Sequence, residues 1–204
     1  MALSRPVRRP VGGLPVRAHA IQNRARLITV ARAAFTAGEV VSLERIAREA
    51  DVGIGTLYRH FPTREALVVA VYSEELDAVT SSAAGLLEKS SAADALVAWT
   101  RRYADLVFAK REIRDVLVVA ATTEAGGVPS ARERVTAVID AILTAGRVDG
   151  TLRDDVDTSD VVALLLGAVL ASAAISSPEP LHRRFVLICE AVTIHRASSA
   201  TSAP

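Results

Sequence analysis

Residues 43–67 of this 204-residue chain have the sequence LERIAREADVGIGTLYRHFPTREAL, which carries its strongest structural pattern. At the start of this stretch, apolar side chains recur at positions i, i+3, i+4 and i+7, the spacing of one face of an α-helix. These side chains are Leu43, Ile46, Ala47 and Ala50. Ser42 stands directly before them, where a hydroxyl group caps a helix start. The pattern therefore predicts a short helix with one buried face.

A second short helix is predicted from about residue 54 to residue 61. Residues 51–53 break the first period, and Leu57 and Phe61 then share one face at a spacing of four. Pro62 ends this helix, because proline disfavours helical geometry in the residue before it. Two short helices joined by a turn of a few residues form a helix-turn-helix, whose second helix fits the major groove of DNA.

These two helices carry a resemblance to a known family. Three segments match its DNA-binding signature: Ile46-Ala47-x-x-Ala50-x-Val52, Gly55-Thr56-Leu57-Tyr58-x-His60-Phe61 and Arg64-Glu65-x-Leu67. In these segments the chain resembles the TetR (tetracycline repressor) family of transcriptional regulators. The resemblance extends upstream through Ile28, Ala31 and Phe35 of a preceding helix, so it covers roughly residues 24–67.

The resemblance implies an all-α fold, with an N-terminal three-helix DNA-binding head that carries the helix-turn-helix and a C-terminal helical bundle that binds a ligand and dimerises. We expect a disordered basic arm at residues 1–20, the DNA-binding domain at residues 21–66 and the helical domain at residues 67–204. The implied function is that of a repressor. It would bind a palindromic operator in double-stranded DNA as a homodimer and be released by a small, mostly apolar effector.

Three positions depart from the family's pattern. The family usually has glycine where Asp51 stands, a small polar residue where Gly53 stands and lysine where Arg64 stands. Arg64 keeps the positive charge, whereas Gly53 has no side-chain oxygen to cap the second helix. Asp51 brings a negative charge near DNA, and we expect it to turn toward solvent or to pair with a neighbouring arginine.

Eight residues are predicted to contact DNA: Ser42, Ile54, Gly55, Thr56, Tyr58, Arg59, His60 and Arg64. Their hydroxyl groups and the Arg64 cation suit phosphate oxygens, which position a protein without specifying sequence. Arg59 is the candidate for base contact, because a guanidinium group can form a bidentate pair with guanine. For Tyr58 and His60 the alternative is ordinary, partly exposed packing.

The charge distribution supports a nucleic-acid partner. Residues 1–64 contain 11 arginines and four acids, a net charge of +7, and the chain totals of 24 bases and 23 acids leave 13 and 19 for the rest, a net charge of −6. A positive end favours DNA affinity that falls with salt. The first 20 residues hold four arginines and no acid. They are either an arm that contacts DNA or a tail without a partner.

After residue 67 the patterns predict only helices, at about residues 63–89, 92–110, 112–123, 130–145, 158–175 and 180–196. Aromatic residues are scarce in this chain, with one Trp, three Tyr and four Phe. Trp99 and Tyr103 lie four positions apart, and Phe108 is nearby. We predict that these three line an apolar effector pocket; the alternative is plain core packing.

The apolar run at residues 161–175 is shorter than the roughly 20 residues that a membrane-spanning helix needs. The family resemblance implies that this run and the last helix pair with their copies in a second subunit, and the alternative is burial within one chain. The predicted interface residues are Leu164, Gly167, Ala168, Ala171, Phe185, Cys189 and Val192.

A constitutive or architectural DNA-binding protein and an enzyme are the alternative classes. The segment Gly53-Ile54-Gly55 lacks the third glycine of a dinucleotide fingerprint and follows no predicted strand. The four histidines are scattered and Cys189 is the one cysteine, so the sequence predicts no metal site, no cofactor and no disulfide framework. We therefore expect a non-enzymatic protein, in the cytoplasm because no export signal is recognisable.

Overall fold

The computed structural model describes residues 16–37, 42–110, 130–172 and 177–194. Their secondary structure is α-helical, which confirms the predicted all-α class, and the predicted helix at residues 112–123 lies outside the described residues. The helices are α1 Val16–Thr36, α2 Leu43–Glu49, α3 Ile54–His60, α4 Arg64–Leu87, α5 Ala92–Ala109, α6 Ala131–Asp149, α7 Thr158–Leu170 and α8 Glu179–Val192.

The chain divides inside α4 into two compact units, which we call the head, residues 1–71, and the body, residues 72–204. The expected boundary after residue 66 therefore lies five residues before the observed one. The reason is packing: Leu67, Ala70 and Val71, in the first turns of α4, belong to the hydrophobic core of the head.

The head core joins α1, α2 and α3. Leu27 and Ile28 of α1, Ile46 of α2 and Leu57 of α3 have no exposed surface, and Phe61, just after α3, is 3% exposed. The faces predicted for α2 and α3 are therefore the faces that they bury.

The first helix begins earlier than expected. Helix α1 starts at Val16, so residues 16–20 of the predicted disordered arm are helical instead. Ala18 and Ala20 are strong helix formers and extend the helix toward its start. The remainder of the predicted arm lies outside the described residues.

The Ser42 cap and the Pro62 stop act as predicted around the helix-turn-helix, and Thr63 caps the next helix. The Ser42 hydroxyl accepts a hydrogen bond from the Arg45 N–H at 3.3 Å and caps α2, and the Thr63 hydroxyl accepts one from the Ala66 N–H at 3.1 Å at the start of α4. Phe61 has φ −136° and leaves helical geometry, as the following Pro62 requires.

In the body, α5, α6, α7 and α8 pack in a closed cycle. Helix α5 contacts α6 and α8, and α7 contacts the same two helices. Their buried faces meet in a core in which Trp99, Ile139, Leu165 and Phe185 are at most 1% exposed.

Helix α6 runs to Asp149 rather than to the predicted end at residue 145. Gly146, directly after the predicted end, lies within the helix, where the Leu152 side chain folds so closely over it that a Cβ atom would overlap. The stop is Gly150, whose φ of +69° lies in the left-handed region that favours glycine.

The last two helices are shorter than predicted. Helix α7 ends at Leu170 instead of residue 175, and α8 ends at Val192, after which Thr193 pairs with Leu152 in an isolated β-bridge. In the described ranges, no helix has the length and apolar character needed to cross a membrane.

Candidate functional site

The turn between α2 and α3 is closed by two backbone hydrogen bonds. The Val52 N–H donates to the Ala47 carbonyl at 2.9 Å, and the Asp51 N–H donates to the Arg48 carbonyl at 3.1 Å. Asp51 has φ +52°, in the left-handed region. This arrangement is a Schellman motif, a helix ending that usually has glycine in the left-handed position. Asp51 therefore adopts a backbone conformation that suits glycine better.

The Asp51 side chain points to solvent and is 92% exposed. One of its carboxylate oxygens lies 3.1 Å from the Arg26 guanidinium of α1. Both expectations for this residue, exposure and an arginine partner, are confirmed. Because the pair is exposed, it stabilises the head by only about 0–1 kcal/mol.

Helix α3 is anchored by the apolar residues around it. Val52 is 7% exposed, and Leu57 and Phe61 are buried. Gly53, at the N-cap, has no side-chain cap, as expected; its carbonyl accepts hydrogen bonds from the N–H groups of Thr56 at 2.8 Å and Leu57 at 3.1 Å.

The opposite face of α3 is open to solvent. Ile54 is 41% exposed and Tyr58 is 44% exposed, and Gly55 and Arg59 are also exposed. An ideal Cβ atom at Gly55 would meet no heavy atom within 4 Å. The structure thus brings the predicted base-contact residues onto one accessible surface.

The other predicted DNA-contact residues flank this surface or lie at its edge. Ser42 and Arg64 are exposed, and Thr56 and His60 are half-buried. The Arg64 guanidinium lies 5.6 Å from the centre of the Phe35 ring, within the range of a cation–π interaction. Contact of all eight residues with DNA stays a prediction.

Sequence reasoning missed a polar contact beside α3. The Tyr58 hydroxyl donates a hydrogen bond to a carboxylate oxygen of Glu44, on α2, at 3.1 Å. The backbone N–H of Glu44 and the hydroxyls of Ser42 and Tyr58 lower the pKa of Glu44, and the same carboxylate raises the pKa of Tyr58. No local spacing signals this pair, because its members lie 14 positions apart on different helices.

In the body, the predicted ligand-binding aromatic residues lie in the core. Trp99 and Tyr103 are 0% and 4% exposed, and their rings stack with centroids 5.4 Å apart. The Tyr103 ring also stacks on Phe185 at 6.1 Å, and the Trp99 indole N–H donates to the Val79 carbonyl at 3.1 Å. The indole N–H is thus already bonded, which favours the core-packing alternative. Phe108 is half-buried on α5.

A cavity of about 200 Å³ lies between α5 and α8. None of the three predicted ligand residues lines it. Its walls are formed by Val97, Thr100, Arg101, His182, Phe185 and Val186. At its edge, His182 Nε2 lies 2.8 Å from an Asp105 carboxylate oxygen.

Charged pairs in the body were also missed by sequence reasoning. The Arg134 guanidinium, 14% exposed, donates to the Ser73 carbonyl at 3.1 Å and to the Asp77 carboxylate at 2.5 Å. Lys110 pairs with Glu75 at 2.9 Å, and both side chains are less than one-fifth exposed. These pairs join distant helices, so no sequence pattern indicates them.

Two tyrosine hydroxyls add to the polar groups inside the body. Tyr72 and Tyr103 are buried, and burial raises the pKa of Tyr72 to about 12 and raises the pKa of Tyr103 further. Both phenols therefore stay protonated at neutral pH and can donate hydrogen bonds.

The predicted dimer-interface residues separate into two groups. Phe185, Cys189 and Val192 are at most 3% exposed and face the core of their own chain, so they offer no surface to a second subunit. The Thr100 hydroxyl lies 3.4 Å from the Cys189 sulfur, and burial raises the pKa of this thiol.

The residues predicted on α7 have a different environment. Leu164 is 55% exposed, Gly167 and Ala171 are exposed, and Ala168 is half-buried. Two further apolar residues that were not predicted are more than half exposed: Leu170, the last residue of α7, at 56%, and Leu187 on α8, at 64%.

Family models match both parts of the chain. The model described as "Bacterial regulatory proteins, tetR family" matches residues 27–71, and "Transcriptional regulator SbtR-like, C-terminal domain" matches residues 91–190. A curated relative, the HTH-type transcriptional regulator SAB2452 of Staphylococcus aureus (strain bovine RF122 / ET3-1), is 39% identical over 64 residues. That match covers 30% of this chain and 35% of the relative's length.

Solved structures match more of the chain. The TetR transcriptional regulator SCO0520 from Streptomyces coelicolor is 36% identical, with a TM-score of 0.61, over 83% of this chain and 98% of that one. A TetR transcription regulatory protein from Mycobacterium vanbaalenii is 32% identical, with a TM-score of 0.58, and the match covers 88% of this chain and 100% of that one. RolR in complex with resorcinol is 22% identical, with a TM-score of 0.60. The match covers 86% of this chain and 90% of that one and shows the shared fold.

The strain at Asp51 can be measured with two substitutions. Asp51→Gly and Asp51→Ala both remove the ion pair with Arg26, but only the alanine keeps a Cβ atom in the left-handed region. We expect the glycine variant to exceed the alanine variant by about 1 kcal/mol in free energy of unfolding. Urea unfolding of both variants measures the difference. Equal stabilities would contradict the left-handed assignment.

Proposed function

This chain belongs to the TetR family of transcriptional regulators, and we propose that it acts as a repressor that binds operator DNA as a homodimer and is released by a small effector. The observation that carries the proposal is the exposed polar face of α3, held outward by the buried Leu57 and Phe61. Such a protein works in the cytoplasm, where the operator is accessible, and its mechanism requires no catalysis.

In this mechanism α3 enters the major groove of DNA. Arg59 is suited to a guanine edge, Ile54 to a thymine methyl group, and Gly55 to a close approach of the backbone. The hydroxyls of Ser42, Thr56 and Tyr58 and the cation of Arg64 would contact phosphates, and His60 could donate to a phosphate or a base edge. The contacts to bases choose the operator, and those to phosphates set the register.

A palindromic operator requires two heads, and we assign the dimer contact to the outer faces of α7 and α8. Leu164 and Leu170 on α7 and Leu187 on α8 are each more than half exposed, and Gly167 lets a partner helix approach closely. Scattered exposed apolar residues are ordinary, but several on two packed helices are typical of an association surface.

The effector would bind in the body. RolR, a protein of the same fold, forms a complex with the small molecule resorcinol, which supports a small-molecule effector. The Lys110–Glu75 pair, whose side chains are both less than one-fifth exposed, the largely buried Arg134 side chain and the buried Tyr72 hydroxyl favour an effector that combines an apolar frame with hydrogen-bonding groups, more polar than the sequence alone suggested. By linkage, an effector that releases DNA must bind the DNA-bound form more weakly, typically by about 1–3 kcal/mol.

A substitution at Gly55 should change DNA affinity and stability in opposite directions. Because a Cβ atom there meets nothing in the free head, Gly55→Ala should raise the free energy of unfolding by up to about 1 kcal/mol through helix propensity. The same methyl group would stand between α3 and the groove floor, so affinity for an operator fragment should fall about tenfold, or about 1.4 kcal/mol. Fluorescence anisotropy and urea unfolding measure the two effects.

Gly85→Ala is the matched control, since Gly85 also lies in a helix with open space around it but in the body. It should leave DNA affinity unchanged. Unchanged affinity of the Gly55→Ala protein would contradict the placement of α3 in the groove.

Negative charges placed on the assigned dimer surface test whether it holds two subunits together. Leu164→Glu combined with Leu187→Glu should convert the dimer to monomer, because a carboxylate in an apolar interface loses its hydration. Sedimentation velocity at micromolar concentration measures the change. Val148→Glu is the control, because Val148 is 86% exposed on α6, outside the assigned surface. A monomeric unaltered protein, or a doubly substituted protein that stays dimeric, would contradict the assignment.

A further inference from the structure

We propose that the Glu44 carboxylate competes with DNA phosphate for the Tyr58 hydroxyl and thereby limits how tightly the head binds the DNA backbone. Glu44 is a positioning residue in this account, since it acts through Tyr58. The inference rests on the proposed function, in which the outer face of α3 contacts DNA.

The geometry supports competition. Tyr58 is 44% exposed on the outer face of α3, yet its hydroxyl is engaged with Glu44 at 3.1 Å in the DNA-free chain. A phenol has a single proton to donate, so the hydroxyl cannot donate to Glu44 and to a phosphate oxygen at the same time. The bond to Glu44 must therefore be exchanged when Tyr58 binds phosphate.

The charge of Glu44 makes it a close substitute for a phosphate oxygen. Its pKa is lowered by hydrogen bonds from its own backbone N–H and from the Ser42 and Tyr58 hydroxyls, so it is ionised at neutral pH. A carboxylate is a charged acceptor, like the phosphate it would compete with, and bonds to charged acceptors are stronger than neutral ones. Exchange of one charged acceptor for another gains little. A Tyr58 hydroxyl bonded only to water would exchange a neutral acceptor for a charged one and would gain more.

Glu44 is also an exposed acid close to the proposed DNA surface, and any such acid repels the DNA backbone. This general repulsion does not depend on Tyr58, whereas competition does. Glu65 provides the matched comparison, because it is an exposed acid in the first turn of α4 next to Arg64, another predicted phosphate contact. Hydrogen bonds from its own backbone N–H and from the Thr63 hydroxyl lower the pKa of Glu65, so this carboxylate is held by other groups than Tyr58.

The test is a double-mutant cycle on DNA binding. Glu44→Gln, Tyr58→Phe, the double variant and Glu65→Gln are compared by fluorescence anisotropy with a random-sequence duplex of about 30 base pairs, at several salt concentrations. A random duplex suffices because phosphate contacts are independent of sequence. Thermal unfolding of each variant verifies that it is folded.

Glu44→Gln is expected to raise affinity for the duplex about three- to tenfold, more than Glu65→Gln does, and to steepen the dependence of log affinity on log salt. In the Tyr58→Phe background, the gain from Glu44→Gln should shrink to that of Glu65→Gln. The loss of affinity caused by Tyr58→Phe should also be larger when residue 44 is glutamine than when it is glutamate.

A Glu44→Gln gain that is the same with and without the Tyr58 hydroxyl would overturn the inference, since Glu44 would then act by general repulsion alone. A loss of affinity on Glu44→Gln would overturn it as well, because Glu44 would then hold Tyr58 ready for DNA. If the unaltered protein binds no duplex DNA at low salt, the proposed function itself fails, which is a distinct result.

Discussion

The left-handed backbone at Asp51 is the constraint on which the head depends. It closes α2 with two backbone hydrogen bonds and turns the chain so that Val52 enters the core and α3 begins two residues later, at Ile54. Once the turn is made, burial of Leu57 and Phe61 fixes which face of α3 is left outside. The side chains on this outer face then determine what the head can bind. The turn is what places them together on one exposed surface.

Much of the head could be predicted from the sequence because its signals are local. The Ser42 cap, the apolar spacing of α2 and the stop at Pro62 each act within a few residues. The contact between Glu44 and Tyr58 could not be predicted in this way, because it depends on how α2 and α3 are oriented toward each other. The sequence showed that Asp51 stands where the family has glycine. Only the dihedral angle showed the reason for that glycine, which is the left-handed backbone at this position.

The body was less predictable because its helices are apolar on several sides. On α8, Phe185 and Leu187 are two positions apart and both apolar, yet one is buried and the other is 64% exposed. A rotation of about 100° per residue places such neighbours on different faces, and composition alone does not choose between them. For the same reason, the sequence did not decide whether Trp99 and Tyr103 line a cavity or pack in the core, where the structure places them.

We propose that this chain is a dimeric, sequence-specific regulator whose two α3 helices contact one operator. Selection of genomic fragments bound by the full chain, followed by sequencing, tests this proposal. We expect the recovered fragments to share an inverted repeat whose half-sites present major grooves on one side of the duplex, about 34–36 Å or a multiple of this distance apart. Fragments without a common sequence, or with one unrepeated half-site, would contradict it.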